Sequence, residues 1–182
     1  MPLNIAQLGQ PVLRQVADPI TAEEIASPEL QQLIDSMLET LAEQQGAGLA
    51  GPQVFAAKRL FLAAILPPAE PDGSPGVEVF VNPRLAGASA ERASAWEGCL
   101  SFPELLVRVP RHRGVRIEYL DRHGEARALE LYEFPARVVQ HELDHLDGIL
   151  TLDRAESTRD IIKASEIDAV EEDPRIDTNQ HE

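Results

Sequence analysis

PARVVQHELDHLDG, residues 135–148, reads as one helix that carries chemistry on an inward face. At about 100° per residue, Val138, His141, Glu142 and His145 share one stripe, with Val139, Leu143 and Leu146 beside it. Arg137, Gln140, Asp144 and Asp147 make up the rest, which the pattern assigns to solvent. Gly148 reads as the helix stop. Two histidines four residues apart, with a glutamate between them, therefore point inward, where unpaired polar groups are costly. A metal ion held by both imidazoles offsets that cost, and the glutamate is placed to move a proton.

Around this helix the pattern is that of an α+β protein: antiparallel β-sheets packed around a central metal-binding helix, with an N-terminal helix. In residues 27–45, Leu30, Leu33, Ile34, Met37, Leu38 and Leu41 fall on one helical face. Ser27 is its cap, Pro28 suits the first turn, and Gly46 closes it. KRLFLAAIL and VEVFVNPRL are strand-like, separated by the loop PPAEPDGSPG. GVRIEYL and EARALELYEF flank the turn DRHG as an antiparallel hairpin.

Two imidazoles do not complete a catalytic metal site. A third histidine at the spacing H-E-x-x-H-x-x-G-x-x-H would fall on Thr151, which cannot serve. Glu156 and Glu166 lie in a polar segment and stay open as third ligands. His112 (in the run RHR), His123 (in the hairpin turn) and His181 (in the tail) read as surface residues. Cys99, in WEGCLSFPE, is the better account: a thiolate and two neutral imidazoles leave a divalent ion positively charged with a position for water. Alone, Cys99 would read as a small buried hydrophobe.

Composition narrows the class. With 31 acidic against 16 basic residues the net charge is −15, which argues against direct nucleic-acid binding. Residues 164–182 hold seven of the acids against Arg175 alone, so a domain over 1–163 is expected to carry an acidic, flexible C-terminal tail over 164–182. One cysteine forbids an intramolecular disulfide framework and suits a reducing cytoplasm. No secretory signal is read at the N-terminus, and LFLAAIL is too short to cross a bilayer. GAGLAGPQV formally matches a dinucleotide fingerprint, but it follows a helix instead of opening one. Gly48 and Gly51 there imply that something approaches the backbone closely.

GAGLAGPQ, EGCLS and QHELDH, in this order, resemble the three signature motifs of the peptide deformylases, and the flanks PVLRQVADPI and HLDGILTLDR extend the resemblance over most of residues 8–154. The resemblance implies a metal-dependent hydrolase that removes the N-formyl group from the N-terminal formyl-methionine of newly made proteins and releases formate. It implies Cys99, His141 and His145 as ligands of one divalent ion, Fe2+ in cells, with Ni2+, Co2+ or Zn2+ as alternatives in preparations. Glu142 becomes the general acid/base, with Gln53 and the Leu100 amide facing the formyl oxygen. Gly48 lies along the substrate backbone, Glu97 and Arg111 form a supporting ion pair, and Val138 and Phe134 wall a methionine pocket. The implied partners are N-formyl-methionyl nascent peptides, with transient ribosome proximity and no membrane. Gly51 stands where many members have alanine, and Trp96 carries no signature role.

Overall fold

Residues 60–66, LFLAAIL, are apolar on both faces because both faces are covered. In the computed structural model, which describes residues 2–67, 73 and 75–171, this run is strand β2 (Leu60–Leu66). Phe61 and Ala63 face helix α3 (Glu133–Leu146), packing with its Val138, Val139, Leu143 and Leu146. Leu60 and Leu62 face helix α2 (Pro28–Gln44), against its Leu30, Ile34, Met37 and Leu41. The sheet is thus a layer between two helices, and this inner strand has no polar side to show.

The other strands are β1 (Gly48–Ala50), β3 (Gly76–Ala88), β4 (Arg92–Gly98), β5 (Leu105–His112), β6 (Gly114–Leu120), β7 (Ala126–Tyr132) and β8 (Ile161–Lys163); short helices α1 (Ala22–Ile25), α4 (Thr151–Arg154) and α5 (Ile167–Glu171) complete the chain. A five-stranded sheet runs β1-β2-β3-β6-β7 and a three-stranded sheet β4-β5-β8, with antiparallel pairing throughout. The α+β reading with α3 at the centre holds. β3 continues through Pro83 because the register shifts between Val81 and Arg84, the kind of bulge that tolerates a missing N–H. Asn82, at that bulge, ties the β3 backbone to Ile20 through both of its amide atoms.

Helix boundaries follow local chemistry, with small differences. Ser27 caps α2 through the Leu30 N–H, and Pro28 opens it. The left-handed residue closing α2 is Gln45, not Gly46, which instead donates to the Leu41 carbonyl. α3 starts at Glu133, two residues before Pro135, which sits within the first turn where its missing N–H costs nothing. Gly148, at φ 71, ends α3, and a Cβ there would lie 2.8 Å from the Arg14 carbonyl oxygen.

One expectation is overturned. Of the α3 face assigned to solvent, Gln140 and Asp144 are buried, at 8% and 7% exposure, and the Arg137 side chain is largely covered. The reason is the second sheet: β5 packs on that face and supplies polar partners, so a polar stripe is satisfied without water. Of the expected tail, 164–171 form a 3-10 turn and α5; the loop residues 68–72 and 74, the tail residues 172–182 and His181 lie outside the described residues. No helix among the described residues is long and apolar enough to cross a membrane.

Candidate metal centre

Strand β4 ends at Gly98, and the next residue turns into the core. The Phe102 N–H donates to the Cys99 carbonyl at 3.0 Å, closing a turn that leaves Cys99 buried. Its Sγ lies 3.3 Å from His145 Nε2, and one ligand atom from each of Cys99, His141 and His145 falls within 4.8 Å of the others. Glu156 and Glu166, the open alternatives for a third ligand, are exposed and stand outside this cluster.

His141 Nδ1 donates to Glu97 Oε2 at 2.9 Å, which orients the ring and makes Nε2 the nitrogen available for coordination once its proton is displaced. Glu97 is itself held by two arginines. Arg111 grips both carboxylate oxygens, Nε to Oε1 and Nη2 to Oε2 at 3.0 Å each, and Arg137 Nη1 adds 2.7 Å to Oε1. Arg111 also reaches Asp144, which a second cation, Arg154, shares. Burial opposes the Glu97 carboxylate, yet hydrogen bonds from His141 and Arg111 outweigh it and carry its pKa down to about 2. Burial likewise opposes the Arg111 charge, and Glu97 and Asp144 more than compensate. Removing one partner from so buried an array costs on the order of 3–5 kcal/mol, because the other charges stay behind unpaired.

The residues fit a divalent cation. Burial works against a proton on His141, but its hydrogen bonds to Cys99 and Glu97 prevail and hold it well above the ordinary histidine range. Burial, with the His141 and Arg111 cations, holds His145 well below that range. One sulfur and two ring nitrogens converging within 4.8 Å of one another are a donor set that suits such an ion. Soft sulfur with imidazole suits iron, nickel, cobalt and zinc alike.

Glu142 stands beside the cluster at 3% exposure, and its Oε2 has no hydrogen-bond partner among the described residues. Burial, the largest influence, raises its pKa to about 7. Gly48 makes room for it: a Cβ at that position would lie 2.3 Å from Glu142 Oε1 and 2.6 Å from Cδ. Gly48→Ala is therefore expected to push the carboxylate aside and lower activity by about 10²-fold, the scale of an ångström misplacement. Metal content should change little, because the displaced atoms belong to Glu142 and not to one of the clustered ligands.

Gln53 is buried against Cys99. Its Oε1 accepts from the Ala50 N–H at 2.9 Å, fixing the amide so that Nε2 donates toward Cys99 Sγ at 3.6 Å and Ser101 Oγ at 3.3 Å. Gln53, Leu100, Gly48 and Glu142 border one cavity of about 360 Å3, together with Val138 and Phe134. Val138 is 6% exposed and Phe134 61%, so the first lies deep and the second at the mouth. Trp96 also borders this cavity, with its Nε1 buried and lacking a partner among the described residues.

The expected residues line one cavity, except for His145, which meets Cys99 behind it, and Arg111, which lies in the ion-pair array. Arg137, Asp144 and Arg154 were not expected there. The legible signal was spacing: Arg137 and Asp144 lie four before and three after His141, so they flank the ligand on the same helix.

A buried thiol and two imidazoles beside a buried carboxylate form the kind of donor set and proton carrier that a metal-dependent hydrolase uses. A family model described as polypeptide deformylase matches residues 2–160. Peptide deformylase 2 of Nostoc is 43% identical over 166 residues, 90% of this chain and 92% of its own length. Among solved structures, the Acinetobacter baumannii class I type b peptide deformylase with Met-Ala-Ser bound is 40% identical, with a TM-score of 0.78 over 85% of this chain and 98% of that one. The Thermotoga maritima peptide deformylase is 36% identical, with a TM-score of 0.78 over 86% and 99%. The chain belongs to the polypeptide deformylase family, enzymes that remove the N-formyl group from nascent peptides.

Proposed function

We propose that this chain deformylates N-terminal formyl-methionine, using Glu142 as the acid/base and Cys99, His141 and His145 as ligands of one ferrous ion, with nickel, cobalt or zinc able to stand in. The observation that carries this reading is the convergence of three ligand atoms within 4.8 Å beside a buried, partly unpaired carboxylate. When bound, a divalent ion supplies a Lewis acid that acidifies water and polarises a carbonyl. Glu142, raised to about 7, accepts a proton from the attacking water and returns it to the departing amine. Glu97 keeps His141 in the ligating tautomer, and Arg111 with Arg137 keeps Glu97 ionised in its place.

Gln53 Nε2 and the Leu100 N–H donate to the oxygen on which charge develops. Gln53→Ala is expected to lower kcat/KM by about 10²–10³-fold, the effect of losing one such donor. A KM nearly unchanged would mark the loss as one of transition-state binding. Gly48 lies along the peptide backbone. Val138 walls the pocket for the methionine side chain and Phe134 its entrance; Met-Ala-Ser bound to the Acinetobacter enzyme, a peptide opening on methionine, is of the kind such a pocket releases.

Residues 1–163 are the catalytic unit, and 164–182 an appended acidic segment. The enzyme acts in the cytoplasm, where a thiolate ligand stays reduced. It meets its substrate in transient proximity to the ribosome without gripping RNA, given a net charge of −15. The test is formate release from formyl-Met-Ala-Ser with metal analysis of the same sample. Activity proportional to one ion per chain is expected; a chain carrying one ion and releasing no formate would overturn the assignment.

A further inference from the structure

The run PRHRG, residues 110–114, has a use apart from the metal centre. Arg113 turns outward to Glu91 and Glu133, whereas Arg111 and His112 line a second cavity of about 330 Å3. The α3 face bordering it, with Gln140, Asp144 and Asp147, carries none of the metal ligands. Arg59, Arg84, Arg92 and Arg154 converge on the same space, so five of the 16 cationic residues of this acidic chain meet there.

The acids of that wall are already engaged. Asp144 takes Arg111 and Arg154, Asp147 takes Arg59, and Arg84 pairs with Glu118. Arg92 has no carboxylate partner among the described residues; its Nη2 donates to the Pro110 carbonyl at 2.9 Å. A cavity with a surplus guanidinium suits a tetrahedral oxyanion, which accepts parallel N–H bonds from the arginine fork.

We propose that this cavity binds a small phosphate-bearing solute, inorganic phosphate or a phosphomonoester, with Arg92 as its principal contact and Arg84 beside it. A nucleic acid is the poorer occupant. Its many phosphates would extend past the arginines along the surface of a chain at −15, whereas a small ion meets only the charges within about 8 Å in physiological salt.

The test is calorimetric titration of the metal-loaded enzyme with inorganic phosphate, at ionic strength held constant with chloride. Saturable binding is expected, weakened about tenfold by Arg92→Gln, with a smaller loss for Arg92→Lys, which keeps the charge but not the fork. Arg84→Gln combined with Arg92→Gln should remove it. Both arginines are exposed and lie outside the metal centre, so formate release without phosphate and the melting curve should stay as in the parent. Undiminished binding in the double variant would place phosphate elsewhere, at the metal included, and overturn the proposal. Absence of saturable binding up to about 10 mM would do the same. A single-stranded oligouridylate bound more tightly than phosphate would overturn the choice of a small solute.

Discussion

Glu142→Ala is expected to lower formate release by about 10²–10⁴-fold while one metal ion per chain remains in place. The carboxylate is not among the three clustered ligand atoms, so its loss removes proton transfer without opening the coordination set. It should also stabilise the fold. Glu142 is 3% exposed and burial raises its pKa to about 7, so holding the charged carboxylate there opposes folding in a way that alanine does not. A higher melting temperature together with lost turnover would mark a residue kept for chemistry at the expense of stability. Activity within threefold or so of the parent would show that another group moves the proton.

Cys99→Ala is expected to release the metal and take activity with it. Sγ is the only sulfur in the cluster, and two neutral imidazoles alone hold a divalent ion with neither charge neutralisation nor a third bond. Packing should suffer far less, because Cys99 sits among Ala6, Leu13, Phe102, Val107, Val109 and Leu150, and alanine leaves only a sulfur-sized gap. Metal analysis after gel filtration, with a melting curve on the same sample, separates the two effects. Retained stoichiometric metal with retained formate release would remove Cys99 from the ligand set.

The chemistry of α3 was legible because helical periodicity is local. His141, Glu142 and His145 could be placed on one inward face from spacing, just as Ser27 and Pro28 could be placed at the start of α2. The apolar run in β2 could likewise be read as a buried strand, because only a layer covered on both sides tolerates it. The solvent stripe of α3 was misread for the complementary reason. A helical wheel reports which residues share a face, not what packs against it, and β5 brings Arg111 to Asp144 and the His112 backbone to Gln140.

By itself, the sequence determined the elements, the order of their apolar faces and the residue types able to hold a cation. Tertiary structure alone decided that Cys99 meets His145 at 3.3 Å, that two arginines clamp Glu97 behind His141, and that five arginines share one cavity. Such meetings join residues more than ten positions apart in the chain, and their distances follow from how sheets and helices close on one another, a global balance of packing that no local period encodes.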